Sequence, residues 1–471
     1  MQTLLLVGIF VSAAAAALHA LLTKSDPRSA MSWIAVCCLF PLGGPALYWL
    51  FGINRVATRA GALPRRGDRD GAAGSSGAGD AVGAGDAHGP ERAALAALCR
   101  VGSALTGLPL VEGNALEPLH NGEVAFPRML RAISEARHSV WLATYIFQTD
   151  AVGLEFVEAL RAAAARGVAV RVLVDGIGEW YDWPHVVPLL RRAKVTAARF
   201  LPPRLWPPNL SLNCRNHRKL LVIDGVQAFM GGMNLGGRET GGSTGRRMTD
   251  IHFDLRGPIV AQLAQTFAAD WQFATGESLP PVLPPPAVGQ CSCRVLTGGP
   301  DEGIDKLLLV IVAAIAAAQR QILIMTPYFI PPPELVAALQ AAALRGVDVA
   351  LVLPKHSNLR YIDWATLHWL PALVAREVKV YLQPPPFSHA KLFVVDGAYA
   401  HIGSVNLDTR SLRLNFEIAV ELFDGGMCAD LAQGITAVRA RAPALTTAQL
   451  GRVRPLVRLR DSLCWLISPY L

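Results

Sequence analysis

The chain repeats itself, and the repeat limits what it can become. His217-Arg-Lys219-Leu-Leu-Val-Ile-Asp224-Gly225 runs on to Gly231-Gly232-Met233-Asn234. Further along, His389-Ala-Lys391-Leu-Phe-Val-Val-Asp396-Gly397 runs on to Gly403-Ser404-Val405-Asn406, and seventeen positions separate His from Asn in both copies. The same order of elements precedes each. In the first copy an amphipathic segment holding Ala132-Ile133 and Glu135-Ala136 leads to an apolar strand, Val140 to Phe147. A helix from Leu154 to Ala165 follows, then Arg166-Gly167-Val168 and a strand from Val170 to Val174. In the second, Ile311 to Ala318 leads to a strand from Ile322 to Met325 and to Pro327-Tyr328-Phe329. A helix from Glu334 to Leu344 follows, then Arg345-Gly346-Val347 and a strand from Val349 to Leu353. Gly after each helix suits a left-handed stop, and strand–helix–strand order predicts parallel pairing. The expected fold class is α/β, with two pseudo-symmetric lobes, each a mixed sheet flanked by helices, and a site between them.

The repeated motif carries chemistry. Its apolar surroundings predict a strand, so side chains alternate and His217 shares a face with Lys219, as His389 does with Lys391. Asp224 and Asp396 lie seven positions after their histidines, an odd offset that points them to the opposite face and toward an orienting role. Asp-Gly then predicts a hairpin that returns Asn234 and Asn406 beside the basic pair. Lysines supply fixed charge and asparagines supply amide donors, which suits a phosphoryl group developing charge. Two histidines complete a displacement: one attacks phosphorus, and the other protonates the leaving alcohol and then activates the incoming one. A single His-x-Lys would be surface decoration. Two with identical spacing in an internal repeat are not.

These residues resemble the duplicated HxKxxxxD motif of the phospholipase D superfamily, and nearly the whole chain is similar to its bacterial cardiolipin synthase branch. Matching stretches include Ser32-Trp33 through Tyr48-Trp49-Leu50-Phe51-Gly52, and Gly113-Asn114 with Asn121-Gly122-Glu123. Tyr145-Ile146-Phe147 with Asp150, Ser404 through Ser411, Asn415-Phe416-Glu417 and the ending Ser468-Pro469-Tyr470-Leu471 also match. The resemblance implies phosphatidyl transfer between two phosphatidylglycerol molecules, giving cardiolipin and glycerol, with no metal and no cofactor. It implies catalytic roles for His217, Lys219, Asp224, His389, Lys391 and Asp396, with His217 as nucleophile and His389 as acid/base. Asn234, Ser404 and Asn406 would hold phosphate. Glu417, and Asp250 as its counterpart, would support the histidines. The chain departs from the branch at Gly232 in place of Ser, at Arg247-Met-Thr-Asp250 and at Arg376-Glu-Val378.

The amino-terminal end points to a membrane. Met1 to Leu22 and Ser29 to Ile53 contain no Asp, Glu, Lys or Arg, and each is about the ~20 residues that cross a bilayer. No basic stretch precedes the first run, and a second run follows at once, so two spans fit better than a cleaved signal. Pro41, Gly43, Gly44 and Pro45 predict a kink or re-entrant turn in the second. Arg55, Arg59, Arg65, Arg66 and Arg69 follow it and predict a hairpin with both ends and both lobes cytoplasmic, in the cell membrane. The expected divisions are an anchor over 1–57 with spans of about 3–22 and 31–53, a Gly/Ala-rich tether over 58–90, a first lobe over 91–278, a Pro-rich linker over 279–289 and a second lobe over 290–471.

The 471 residues are 52% hydrophobic and 17% charged, with a net charge of +8. That balance favours anionic partners such as membrane lipids, and phosphatidylglycerol is the expected substrate. Nucleic acid is not an expected partner, since no basic stripe interleaved with aromatics is present. A hydrolase, a transferase using another alcohol, and a superfamily nuclease remain alternatives, and oligomeric state is left open. The eight cysteines form no ligand pattern and read as reduced thiols. Trp206 among prolines suits a membrane interface or loop packing. Arg452, Arg454, Arg458 and Arg460, interleaved with Val453, Leu456, Val457 and Leu459, form a basic amphipathic segment that suits a membrane surface or a solvated helix.

Overall fold

The structure, a computed structural model, describes residues 2–24, 27–52, 90–203, 214–240, 248–300, 305–451 and 454–466. Residues 58–89 of the expected tether, Ile53, Trp206, Arg247, Arg452, Val453 and the Ser468–Leu471 ending lie outside the described residues.

At the amino terminus a helix spans Gln2–Thr23. Its Leu6–Thr23 segment is the one stretch among the described residues long and apolar enough to cross a membrane. The second apolar run is interrupted at the stretch that holds Pro41, Gly43, Gly44 and Pro45. Its helix stops at Leu39, a turn follows over 40–43, and a short helix Gly44–Leu47 passes into a π-helical turn, Tyr48–Gly52. Pro41 has no N–H to continue the ladder, while Pro45 sits in a first turn where that loss costs nothing. A Cβ on Gly44 would strike the Val36 carbonyl, so the doubled-back chain needs glycine there. The two segments meet through Ala20, Cys37 and Tyr48, and the Tyr48 hydroxyl lies 2.8 Å from Nδ1 of His19.

The remainder is built on a single fourteen-stranded sheet. The first half contributes β1 (Val111–His120), β2 (Ser139–Thr144), β3 (Ala169–Asp175), β4 (Thr196–Phe200), β5 (Leu220–Ile223), β6 (Gln227–Gly231) and β7 (Ile251–Arg256). The second contributes β8 (Cys291–Gly298), β9 (Gln321–Met325), β10 (Asp348–Pro354), β11 (Lys379–Gln383), β12 (Leu392–Val395), β13 (Tyr399–Gly403) and β14 (Glu417–Phe423). Outward from the centre the strands run β1-β7-β6-β5-β2-β3-β4 on one side and β8-β14-β13-β12-β9-β10-β11 on the other. Every strand therefore has its counterpart seven strands later. The halves share one sheet because β1 pairs antiparallel with β8. Asn114 locks that join: its amide donates to the carbonyls of Val111 and Cys291 at 2.8 and 3.0 Å, and its Oδ1 accepts from the Ile259 N–H at 2.8 Å. The proline-rich stretch 279–289 has no regular structure.

Local rules explain the repeat. β2 pairs in parallel with β3, and β9 with β10, through helices Ala151–Ala165 and Pro333–Leu344. Asp150 caps the first by accepting from the Gly153 N–H, while Pro333 opens the second. Gly167 and Gly346 follow them at φ of 90° and 91°, where any side chain would strain the backbone. Arg166 and Arg345 reach back to carbonyls ending the preceding helix, at Ile133 and Ile315, and satisfy acceptors that helix geometry leaves open. Each half has its own apolar core, with Phe126, Phe156, Leu160, Val172 and Leu221 in the first and Ile311, Leu335, Leu339, Leu351 and Phe393 in the second.

Candidate active site

Both histidines stand just ahead of their regular strands. β5 begins at Leu220 and β12 at Leu392, so His217, Lys219, His389 and Lys391 precede the ladders that were expected to include them. A different pairing holds this approach. Asn216 bridges to Phe416 in parallel, and Phe387–Ser388 pairs in parallel with Met248–Thr249. The His217 N–H donates to the Phe416 carbonyl at 2.9 Å and the His389 N–H to that of Thr249 at 2.7 Å. Each histidine is thus anchored to the segment of the opposite half that ends in a buried carboxylate.

Those carboxylates meet the rings. Nδ1 of His217 lies 3.0 Å from Oε2 of Glu417, and Nδ1 of His389 lies 2.9 Å from Oδ2 of Asp250. An ionised carboxylate only accepts, so each Nδ1 carries the proton and each Nε2 keeps its lone pair. Burial pushes both imidazoles down to about 4, against the pull of their carboxylates. Burial alone would raise Glu417, but His217, Lys219 and the Ser404 hydroxyl together hold it below the usual range.

The lysines act differently. Lys219 donates to the backbone carbonyl of His217 at 2.7 Å, and burial pushes its ammonium down to about 7. Lys391 bonds the His389 carbonyl at 2.6 Å, and its Nζ also stands 3.0 and 3.2 Å from Nδ1 and Nε2 of that ring. Burial lowers Lys391 as well. Among the described residues only His389 has a lysine against its ring nitrogens.

Three expected site residues are engaged by groups of the protein itself. Asp224 accepts from the backbone N–H groups of Arg137, His138 and Ser139, and Asp396 from those of Gln319, Arg320 and Gln321, at 2.7–2.9 Å. Both occupy the first position of an Asp-Gly turn at φ of 50° and 53°. They tie a hairpin to the start of β2 or β9, as the odd offset anticipates. Ser404, expected at phosphate, is fully buried and gives its hydroxyl to Oε2 of Glu417. It therefore steadies the carboxylate behind His217.

His217, His389, Asn234 and Asn406 line one cavity of about 200 Å³. Tyr145, Tyr181, Tyr328 and Tyr361 form apolar walls, and Arg215, Arg238 and Arg410 add positive charge. The rings of Tyr145 and Tyr328 stand edge-on to His217 and His389, at centroid distances of 5.3 and 6.0 Å. Arg215 is buried 3.7 Å from Asp175. Glu239 also lines the cavity, buried, with burial and Asp250 pushing its carboxyl up to about 8. Sequence reasoning missed Glu239, although a signal existed: five positions after the motif Asn the copies differ, Glu239 standing where the second has Ser411. Arg218, replaced by Ala390 in the second copy, ion-pairs with Asp270 at 2.5 Å and donates to the Glu417 carbonyl at 2.9 Å.

A monoanionic phosphodiester fits this cavity. Buried cations attract it, an unencumbered imidazole nitrogen can attack, and a second imidazole stands ready for the alcohol oxygen.

Comparison with known proteins agrees. Residues 129–271 and 311–438 match the family model described as cardiolipin synthase, PLD-like domain. Residues 11–52 match one described as phospholipase D-nuclease N-terminal. Cardiolipin synthase A of Pseudomonas aeruginosa is 34% identical, over 99% of this chain and 96% of its own. The cardiolipin synthase of Geobacillus kaustophilus is 32% identical, over 96% and 90%. Among solved structures, the phosphatidylserine synthase of Haemophilus influenzae shares the fold with a TM-score of 0.62 at 14% identity, over 80% of this chain and all of its own.

Proposed function

This chain belongs to the cardiolipin synthase family of phospholipase D-like proteins, and we propose that it moves a phosphatidyl group from one phosphatidylglycerol to another through a phosphohistidine on His217. The reaction class is phosphatidyl transfer. The observation that carries the residue assignment is the crossed pairing of two histidines with carboxylates of the opposite half, on one cavity.

Nε2 of His217 attacks phosphorus as the bond to glycerol oxygen breaks, and Glu417 stabilises the cation left on the ring. His389 supplies the proton to that oxygen. Burial and Lys391 disfavour a charged His389, but the phosphodiester brings a negative charge that favours it. A hydroxyl of the second phosphatidylglycerol then gives its proton back to His389 and displaces His217, forming cardiolipin. His217 is assigned as nucleophile because Lys391 engages Nε2 of His389, while Lys219 reaches only the backbone of His217. Lys219 and Lys391, with Asn234 and Asn406, hold the phosphoryl oxygens.

The apolar amino-terminal helix keeps the enzyme where its substrate diffuses, in a cell membrane with the catalytic halves cytoplasmic. Helix Pro455–Leu466 supports a lipid surface as partner, since Leu456, Leu459, Leu463 and Leu466 are exposed along it. Its other side shares an apolar cluster, through Cys464 and Trp465, with the cavity-lining Tyr328, Leu359 and Ile362. Purified protein in phosphatidylglycerol mixed micelles containing a chelator is expected to yield cardiolipin and equimolar glycerol. Phosphatidic acid alone would mark a hydrolase, and full turnover by His217→Ala or His389→Ala would refute the paired-histidine mechanism.

A further inference from the structure

Charge and phosphate chemistry leave part of the cavity wall unexplained. Three of its lining residues carry buried oxygens with no hydrogen-bond partner among the described residues: Oε2 of Glu239, Oδ1 of Asn406 and Oδ1 of Asn415. Their residues are 2%, 4% and 7% exposed. A buried polar atom left without a partner is destabilising, so three on one cavity point to a ligand that completes them.

Their orientation is set. The Asn415 amide donates its Nδ2 to Oε1 of Glu417 at 3.3 Å. Since that carboxylate only accepts, Oδ1 is the amide atom left without a partner, and it can only accept. Glu239 receives the Asn234 backbone N–H on Oε1 at 3.2 Å, which leaves Oε2 as the open end. Around Glu239 stand Asp250, Lys391 and Lys219, and the carboxyl holds its proton at neutral pH. A proton on Glu239 belongs on Oε2, because Oε1 already accepts one. Glu239 and Asn415 thus offer one O–H that donates and one C=O that accepts.

Phosphate oxygens can use only the donor. A hydroxyl uses both, and a headgroup with neighbouring hydroxyls can occupy both at once. We infer that Glu239, with Asn415, forms a seat for the hydroxyls of a polyol headgroup and makes the site prefer glycerol over simple alcohols. The seat explains why a carboxyl is buried beside an anion's site, where a neutral acid repels nothing and an apolar residue would hold no hydroxyl. This inference rests on the transferase reading above, and it names the chemistry by which that site recognises its acceptor.

The test offers full-length protein in phosphatidylglycerol micelles labelled glycerol and propan-1-ol at equal concentration. Transfer to glycerol returns labelled phosphatidylglycerol, and transfer to propanol gives phosphatidylpropanol. Their rate ratio is independent of how much enzyme is folded. Wild-type protein is expected to favour glycerol, and Glu239→Leu to lower that preference by about tenfold or more. Glu239→Gln keeps an acceptor for Asn234 and a donor in place of the O–H, so its ratio should stay within about threefold of wild type. An unchanged ratio in Glu239→Leu, or a wild type indifferent to glycerol, overturns the inference. Cardiolipin yield in the same reactions judges the proposed product separately. A glycerol preference that depends on Glu239 without cardiolipin would defeat that product and still support the seat.

Discussion

Oε2 of Glu417 holds Nδ1 of His217 at 3.0 Å across 200 residues of chain, and Asp250 holds His389 in the same way at 2.9 Å. Each half of the repeat supplies the other's carboxylate, so neither histidine is set up by its own copy alone. Glu417→Gln tests what that bond does. The amide can donate to Nδ1, which would move the ring proton to Nε2 and remove the attacking lone pair. Its kcat is expected to fall by about 10²- to 10⁴-fold with KM little changed. Steady-state kinetics in mixed micelles, with a melting curve to show the isosteric variant is folded, would check it.

The unequal lysines give the second expectation. A phosphatidyl ester of p-nitrophenol needs no acid to expel its leaving group, so it isolates the nucleophile. His389→Ala should release about one equivalent of p-nitrophenolate in a burst and then stall, because the acceptor lacks its base. His217→Ala should show no burst. The reverse pattern would exchange the two assignments.

Buried imidazoles make stability depend on pH. Burial holds His217, His252, His389 and His401 down to about 4, from an ordinary 6.5. Between those values the unfolded chain binds protons that the folded chain refuses, so stability falls as pH falls. The denaturation midpoint should drop from pH 7 to pH 5. Turnover has a second limb. Lys219, pushed down to about 7, loses its charge as pH rises, so kcat/KM should decline above about 7 as well as toward 4.

Much of this site was legible because it is periodic. His-x-Lys spacing, the Asp-Gly turns at Asp224 and Asp396, and the Gly167 and Gly346 helix stops are local features, and a repeat doubles each signal. Crossed contacts were harder to read. Glu417 and Asp250 could be named as supports, but no spacing says which histidine each meets, since short parallel bridges at 216/416 and 387/248 decide it. Ser404 was expected at phosphate from the family resemblance alone, and its hydroxyl goes to the buried Glu417 carboxylate. Glu239 left only a faint signal, the mismatch with Ser411, because its neighbours Asp250 and Lys391 come from distant segments.

One difference between the copies yields the last expectation. Where the second motif has Ser404 against Glu417, the first has Gly232 against Asp250. A Cβ at 232 would stand 2.5 Å from Oδ2 and 2.8 Å from Oδ1 of Asp250. The shorter acid holds its carboxylate close to the backbone, in space a serine would need, so glycine and aspartate belong together. Oδ2 is the atom bound to His389, and Oδ1 accepts from the Ile251 N–H at 2.7 Å, so the carboxylate cannot shift without losing one of these bonds. Gly232→Ala should therefore lower kcat by about 10- to 100-fold, through a misplaced His389. The nitrophenyl burst should survive in this variant, because His217 and Glu417 are untouched. Loss of the burst together with turnover would instead mean that position 232 supports the whole site.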